Sequence, residues 1–349
     1  MDLKEKIFYF ISFAISIFLG LFFPLSVDSQ CNKKLVIINF GDSNSDTGGY
    51  VIVRGMMGQL PKIHTFNHNL SGRMCDGRLI IDFLCKLICY YTIFSLIFCS
   101  MFDVLDSCRK ISEGNGYLTP FMESIGKNFT HGVNFAIAGS KTLPRLDSFN
   151  LHIQFAQFHR FQSLSLELFN KGDGNLLGDK DLRNALYTID IGQNDLDGIF
   201  GGLIYEKAIL KIPEIISEIE NVIKAIYEQG GKNFWVHNTG PLGCLPKSLA
   251  TYKKNENDYD ENGCLISLNE GFVNPLMGCC GYGGPPYNFE SNNKCGQGNY
   301  TICEDRFKYI SWDGIHYTEA ANGFVASKIL STHYSTPPLK FNNFCNIAP

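Results

Sequence analysis

The sequence has no surplus of positive charge and little charge of either sign. Its 349 residues include 30 lysines and arginines against 34 acidic residues, for a formal net charge of -4, and charged residues make up 18% of the chain. A protein that binds nucleic acid needs a basic patch to neutralise phosphates. Because no run of lysine and arginine is long enough to follow a phosphate backbone, we predict no nucleic-acid partner.

The sequence also lacks internal repeats, low-complexity tracts and the ligand spacing of a zinc site. The 13 cysteines do not form paired C-x-x-C units with histidines, so disulfides are favoured over metal binding. His64 and His68 are four residues apart, but they lie in a Pro/Asn-rich stretch without a third ligand, and we interpret them as surface residues. We predict no metal site and a single decorated domain.

The first residues predict a secretory signal peptide over residues 1–29, followed by one domain over residues 30–349. Lys4 and Lys6 precede an apolar run from 7 to 23, and a small-residue Val-x-Ser exit ends at position 29. An uncleaved membrane anchor is the alternative, because the run is nearly long enough to span a bilayer. The short basic segment before the apolar run and the Val-x-Ser sequence after it favour cleavage of a signal peptide.

Glycosylation sequons and cysteines also support entry into the secretory pathway. Sequons begin at Asn69, Asn128 and Asn299, and N-glycosylation occurs in the secretory pathway. An oxidising compartment should pair most of the cysteines. We expect Cys244 to pair with Cys264. We also expect pairs within a group of four in which the adjacent cysteines have separate partners: Cys279, Cys280, Cys295 and Cys303.

Four short apolar, β-branched or aromatic runs predict buried parallel strands: residues 35–40, 133–138, 185–191 and 233–237. Between the last two runs, apolar residues recur at helical spacing from 212 to 227, and Thr318 can cap a helix that continues to 329. This pattern predicts a doubly wound α/β fold, with a mostly parallel sheet, flanking helices and ligands at the carboxyl ends of the strands.

Two stretches depart from that pattern. Residues 83–102 are almost wholly apolar apart from Lys86, which favours a buried helix or a spurious insertion over a transmembrane helix. From 241 to 310 the sequence is rich in Gly, Asn, Pro and Cys, and we predict no further strand there. A sheet of four strands is thin for this fold.

Ser43 follows the first predicted strand in a Gly-flanked turn, within NFGDSNSDTGG. Such a turn can present a serine nucleophile at the sheet edge with a helix amino end behind it. Alternatively, Ser43, Asn44 and Asp46 serve only as cap and turn residues, and the segment by itself does not decide between the two interpretations.

Asp313 and His316 lie three residues apart in SWDGIHYTEAAN. At that spacing the carboxylate can fix the imidazole tautomer while the second ring nitrogen takes a serine proton. Two other strand ends carry Gly139 and Asn194, which with the Ser43 N–H can form an oxyanion hole. Both residues also suit ordinary turns, so the joint pattern at strand ends is what favours catalysis.

On these motifs the chain resembles the plant GDSL esterase/lipase family of SGNH hydrolases, and GDSNSDTGG resembles its early-nodulin and fucosidase-named acetylesterase branch. Further matching segments are HGVNFAIAGS, IDIGQNDL, HNTGPLGCLP and GFVNPLMGCCGYGG. The resemblance implies Ser43 as nucleophile, Asp313 and His316 as catalytic partners, and Gly139 and Asn194 as oxyanion residues. It implies hydrolysis of small acyl esters or acetylated glycans without a cofactor, through an acyl-serine intermediate.

The resemblance also shows two departures. The family's fifth strand and a preceding helix are missing where residues 270 and 271 abut, which predicts a deletion that removes the last edge strand. Residues 83–116 form an atypical apolar insertion. We expect a secreted enzyme of the apoplast or cell wall, or of the symbiosome if it is nodule-type. The alternatives are an inactive or misfolded variant acting as a glycan-binding or structural nodulin-like protein, and membrane retention through residues 83–102.

Overall fold

The computed structural model describes residues 35–55, 72–85, 117–123, 126–144, 149–251, 276–331 and 333–339. Several predictions fall outside these ranges and stay predictions. They concern the signal peptide, Asn69, Cys264, the apolar insertion beyond residue 85 and the deletion between 270 and 271.

A four-stranded parallel sheet forms the centre of the described fold. Its strands are β1 (Ile37–Gly41), β2 (Gly132–Asn134), β3 (Leu186–Asp190) and β4 (Asn233–Val236), in the order β2-β1-β3-β4. All four predicted strands are present. β2 ends at Asn134, earlier than predicted, but the N–H groups of Phe135 and Ile137 still donate to Asn39 O and Gly41 O of β1 at 2.8 and 3.3 Å.

Helices connect the strands and cover the sheet: α1 (Gly49–Val53), α2 (Leu151–Asn170), α3 (Asp179–Asn184), α4 (Gln193–Gly202), α5 (Tyr205–Ile209), α6 (Ile212–Glu228), α7 (Pro246–Thr251) and α8 (Glu319–Leu330). The predicted crossover helix is α6. The predicted cap of α8 is also present, since Thr318 Oγ1 accepts the N–H of Ala321 at 3.2 Å.

The side chains of β1 alternate between the two faces of the sheet and contribute to a core layer on each face. Val36, Ile38 and Phe40 pack against α2 and α6 on one face of the sheet. Leu35 and Ile37 pack on the other face against the helical residues 80–85 and against α8. Successive side chains of a strand point to opposite faces, so one strand supplies both layers. The mostly parallel sheet with flanking helices confirms the predicted fold class.

A small disulfide-bonded lobe corrects the expectation that no strand lies between 241 and 310. Two two-residue strands, β5 (Cys280–Gly281) and β6 (Thr301–Ile302), pair antiparallel there. They are too short to produce a periodic pattern in the sequence. Disulfides Cys279–Cys303 and Cys280–Cys295 close this lobe and confirm that the adjacent cysteines have separate partners.

The described ranges include no candidate for a membrane-spanning helix. No helix within them is both long and apolar enough to cross a bilayer. Of the predicted apolar stretch 83–102, only residues 83–85 fall inside the described part, and they are helical.

We expect Phe158→Ala to destabilise the fold by about 3–5 kcal/mol, because it leaves a cavity in the aromatic core. The ring is fully buried, and its centroid lies 5.8 Å from Phe40, 6.0 Å from Phe135 and 5.6 Å from Tyr187. Leu168→Ala on the same helix is the control, since Leu168 is 40% exposed. Denaturant unfolding measures both; equal losses would contradict this packing.

Candidate active site

Ser43 lies in a tight turn directly after β1. The N–H of Asp42 donates to Asp190 O at 3.1 Å, which ties the start of the turn to the carboxyl end of β3. The N–H groups of Ser45 and Asp46 donate back to Asp42 O at 3.2 and 3.0 Å. Ser43 therefore lies partly exposed at the crevice between β1 and β3, where the strand order reverses and where ligands of such sheets bind.

Asp313, His316 and Ser43 form a continuous hydrogen-bonded chain. Asp313 Oδ2 lies 2.7 Å from His316 Nδ1, and His316 Nε2 lies 2.8 Å from Ser43 Oγ. The other carboxylate oxygen of Asp313 accepts the N–H groups of Ile315 and His316 at 3.0 and 2.8 Å. The three residues that the sequence analysis identified are therefore in direct contact.

Electrostatics assign the proton positions in this chain. Burial alone would raise the pKa of Asp313, but the interaction with His316 and the hydrogen bonds from His316 and Ile315 outweigh burial and lower the pKa. The carboxylate is therefore ionised at neutral pH and can only accept hydrogen bonds. The ionised Asp313 therefore accepts a hydrogen bond from His316 Nδ1, and in a neutral imidazole with the proton on Nδ1, Nε2 is the acceptor that faces the Ser43 hydroxyl.

Three donors converge beside Ser43. Within the described ranges, the backbone N–H groups of Ser43 and Gly139 donate to no protein acceptor. Gly139 has a φ of 82°, in the left-handed region that favours glycine, although an added Cβ would meet open space. Asn194 Nδ2 donates to Ser140 O at 2.9 Å and faces Asp42 Oδ2 at 3.3 Å.

A cavity of about 240 Å³ opens over these groups. Ser43, His316, Gly139 and Asn194 line it, so the hydrogen-bonded chain and the three donors face one space. Further lining residues fall into an apolar set and a polar set. The apolar set includes Met74, Leu242, Leu245 and Ile315, and the polar set includes Asn44, Gln193, Asp197 and Lys247.

Comparison with known proteins identifies the family. Residues 37–329 match the family model of GDSL-like lipase/acylhydrolases. The chain belongs to this family. It is 41% identical to "GDSL esterase/lipase At1g09390" of Arabidopsis thaliana, with 92% of this chain and 93% of the relative covered. "GDSL esterase/lipase LIP-4" of the same plant is 40% identical, with 97% and 96% covered. "Alpha-L-fucosidase 3", also from Arabidopsis thaliana, is 34% identical, with 91% and 95% covered.

The protein is therefore a GDSL hydrolase that acts on ester bonds. No metal centre is evident in the part of this hydrolase that the structure describes, where no three His, Cys, Asp or Glu side chains are grouped to hold an ion. The prediction that the reaction needs no metal or cofactor stays a prediction.

Asp46 connects the Ser43 turn with the loop that carries Gly139. Its buried carboxylate accepts the N–H groups of Gly48, Gly49 and Tyr50 at 2.8, 2.6 and 3.0 Å, which are the donors at the start of α1. It also accepts the N–H of Ala138 at 2.7 Å. Asp46 thus acts as a turn residue that accepts N–H groups at the start of α1, where Gly48 is the N-cap, but its contact with the residue before Gly139 had no signal in the local sequence.

Gln154 holds the end of β1 in position and was missed by sequence reasoning. Its side chain accepts the N–H of Gly41 at 2.9 Å and donates to Gly41 O at 2.8 Å and to Ser140 Oγ at 3.0 Å. Gln154 is fully buried on α2 between Leu151 and Phe158. The sequence offered one signal for this role, a glutamine on the apolar face of a helix. A buried side-chain amide requires hydrogen-bond partners, so such a glutamine indicates a polar contact in the core.

The disulfide-bonded lobe supports the segment that carries Asp313 and His316. Cys279 N donates to Ser311 O at 3.0 Å, and Cys280 N donates to Trp312 O at 2.6 Å. The buried Trp312 ring packs against the same cysteines. The disulfides therefore fix the backbone immediately before Asp313.

Asp42 is a fully buried acid directly before Ser43 in the chain. Burial raises the pKa of Asp42 well above the usual value, and the negative charge of Asp190 raises it further. Asp195 and Asp46 raise this pKa by smaller amounts, whereas the hydrogen bond from Asn44 N lowers it. Because folding raises this pKa, the folded protein holds the Asp42 proton more tightly than the unfolded chain does.

We expect Asp42→Asn to be more stable than the wild type at pH 8, with a margin that shrinks as the pH falls toward the ordinary carboxyl value of 3.8. Ionising an acid whose pKa is raised by folding costs stability as the pH rises, about 1.4 kcal/mol for each unit of the raised pKa. Thermal or denaturant unfolding across pH 4–8 measures the margin. Asp173→Asn, at an exposed acid, is the control. A margin that does not change with pH would contradict the argument.

Proposed function

We propose that this hydrolase is a secreted serine esterase that cleaves acyl esters through an acyl-serine intermediate, with Ser43 as nucleophile. The observation that carries the proposal is the hydrogen-bonded chain Asp313–His316–Ser43, with contacts of 2.7 and 2.8 Å. A serine is a weak nucleophile unless an adjacent base removes its proton, and His316 Nε2 lies where that base must be.

In the first half of the reaction, Ser43 Oγ attacks the ester carbonyl and gives its proton to His316 Nε2. The resulting imidazolium lies against the ionised Asp313, which stabilises the new positive charge. The tetrahedral intermediate then collapses, the bond from carbon to the alkoxy oxygen breaks, and His316 returns the proton to the departing alcohol. Water repeats these steps on the acyl-serine and releases the carboxylic acid.

The oxyanion of the intermediate is stabilised by three donors, two of which are available in the free enzyme. The N–H groups of Ser43 and Gly139 lack protein acceptors within the described ranges. Asn194 is the third donor: its amide nitrogen donates to Ser140 O at 2.9 Å and to Asp42 Oδ2 at 3.3 Å, and the longer of these two bonds is the one that an oxyanion would replace. Donors fixed before the reaction act without reorganisation cost.

Secretion rests on the predicted signal peptide over residues 1–29, the sequons and the disulfides. Asn128 and Asn299 are exposed, as glycan acceptors must be. Disulfides Cys279–Cys303 and Cys280–Cys295 suit an oxidising compartment. The extracellular apoplast or cell wall is the location we propose, with a small acyl ester or an acetylated glycan as substrate. The assembled triad does not favour the non-catalytic alternative.

We expect a fluorophosphonate probe to label the secreted wild-type protein and not the Ser43→Ala variant, because the phosphonate reacts only with an activated serine. The protein is expressed from residue 1 in a secretory host and treated in the medium. Ser163→Ala, at an exposed serine of α2, should be labelled like the wild type. Labelling that survives Ser43→Ala would exclude Ser43 as nucleophile.

We expect Asn194→Ala to lower kcat for an activated acetyl ester by roughly 100- to 1000-fold, the usual cost of one oxyanion donor. The loss should appear in kcat rather than in KM, since the interaction strengthens only in the transition state. Asn184→Ala, at an exposed asparagine of α3, is the control. A kcat within threefold of the wild type would remove Asn194 from the oxyanion hole.

A further inference from the structure

An ion pair lies at the wall of the cavity, where the proposed reaction gives it no role. Lys247 Nζ contacts Asp197 Oδ2 at 2.5 Å, and both residues line the cavity that contains Ser43. Their side chains are 25% and 34% exposed. The pair is therefore neither a fully solvated surface contact nor a buried one, and both groups have hydrogen-bonding capacity left for a ligand.

The chain places this pair close to the reacting atoms. Asp197 follows Asn194 by three residues on α4, a spacing that puts two side chains on the same helix face about 5–6 Å apart. Lys247 lies on α7, and its N–H donates to Gly314 O at 3.0 Å, within the loop between Asp313 and His316. A ligand in contact with Ser43 thus lies beside the ion pair.

Two more polar side chains face the cavity without protein partners. Within the described ranges, the side-chain amides of Asn44 and Gln193 make no hydrogen bond to another protein group. Each amide has two donor hydrogens and an acceptor oxygen. Together with Lys247 and Asp197, they offer both donors and acceptors, the combination that a cluster of hydroxyl groups requires.

The cavity size limits the remaining part of the ligand. Sites for drug-sized ligands occupy roughly 300–1,000 Å³, so the space of about 240 Å³ over Ser43 holds a small group beside the reacting atoms. The apolar lining residues suffice for a short acyl group. The polar residues then remain for the alcohol.

We propose that Lys247, Asp197, Asn44 and Gln193 form a polar subsite that binds the alcohol portion of the ester, and that this alcohol carries several hydroxyl groups, as a sugar does. The inference rests on the proposed function and specifies its substrate class. Asp197 accepts a hydroxyl hydrogen, Lys247 donates to a hydroxyl oxygen, and the amides do both.

The test compares two acetyl esters of similar shape: a monoacetylated methyl glucoside, and cyclohexylmethyl acetate, which lacks the hydroxyl groups. In a variant with Lys247→Met and Asp197→Asn together, we expect the ratio of kcat/KM for the glucoside over the apolar ester to fall roughly 10- to 100-fold, since hydrogen bonds to charged groups are lost. The change should lie mainly in KM for the glucoside, because these contacts already exist in the ground state.

The double substitution avoids leaving one charge unpaired, which would destabilise the protein for reasons unrelated to binding. Glu218→Gln is the matched control, because it breaks the Glu218–His152 ion pair between α6 and α2, whose residues do not line the cavity. The control should keep the wild-type ratio. An unchanged ratio of kcat/KM in the double variant, or an equal fall in kcat for both esters, would overturn the subsite. The ion pair would then only connect α4 and α7.

A second measurement needs no variant. Free methyl glucoside should inhibit hydrolysis of cyclohexylmethyl acetate by the wild type competitively and at lower concentration than cyclohexylmethanol does. The reverse order would overturn the subsite. A wild-type enzyme that hydrolyses only the apolar ester would overturn the subsite alone, whereas one that hydrolyses neither ester would overturn the proposed function with it.

Discussion

The hydrogen bond between Ser43 and His316 joins two residues that are 273 positions apart, and the whole described fold serves to bring them together. One partner depends on the parallel sheet, because Ser43 is presented by the turn after the central strand β1. The other depends on the disulfide-bonded lobe, whose backbone holds residues 311 and 312. A site built from two separately supported segments needs each of them rigid, because movement of either segment would change the distance between Ser43 and His316.

The rigidity beneath Ser43 comes from buried polar groups rather than from apolar packing alone. Asn39 donates to Asn134 at 2.7 Å and accepts from Thr188 at 2.6 Å, which links the three strands β2, β1 and β3 across the sheet. Asn134 extends the network to Ser45 O at 2.7 Å. Such networks are costly if one partner is missing, so a fully paired one selects a single arrangement of the turn.

Much of the site could be predicted from the sequence because parallel strands end at one edge of a sheet. Ser43, Gly139 and Asn194 each follow a recognisable strand, and that alone predicts that they converge. His316 could be found because an acid three residues away can orient it. Gln154 and the contact of Asp46 with Ala138 could not, because they depend on tertiary contacts between residues 113 and 92 positions apart. The role of the lobe was hidden for the same reason: cysteine spacing predicts disulfides, not the segment that they support.

The position of the site within the sheet bears on the predicted deletion between residues 270 and 271. Ser43, Gly139 and Asn194 follow β1, β2 and β3, whereas β4 supplies none of the residues that we propose for the triad or the oxyanion hole. In the described part of the chain β4 is an edge strand with half-buried or exposed residues, while β1 and β3 are fully buried. An open edge costs stability and invites association with other strands, but it lies one strand away from the crevice between β1 and β3. We propose that loss of a fifth strand lowers the stability of this hydrolase before it alters the geometry of its site. After β4 the chain returns to the site through Lys247 on α7, whose N–H donates to Gly314 O, and through the segment that carries Asp313 and His316, and none of these contacts involves the open edge of β4.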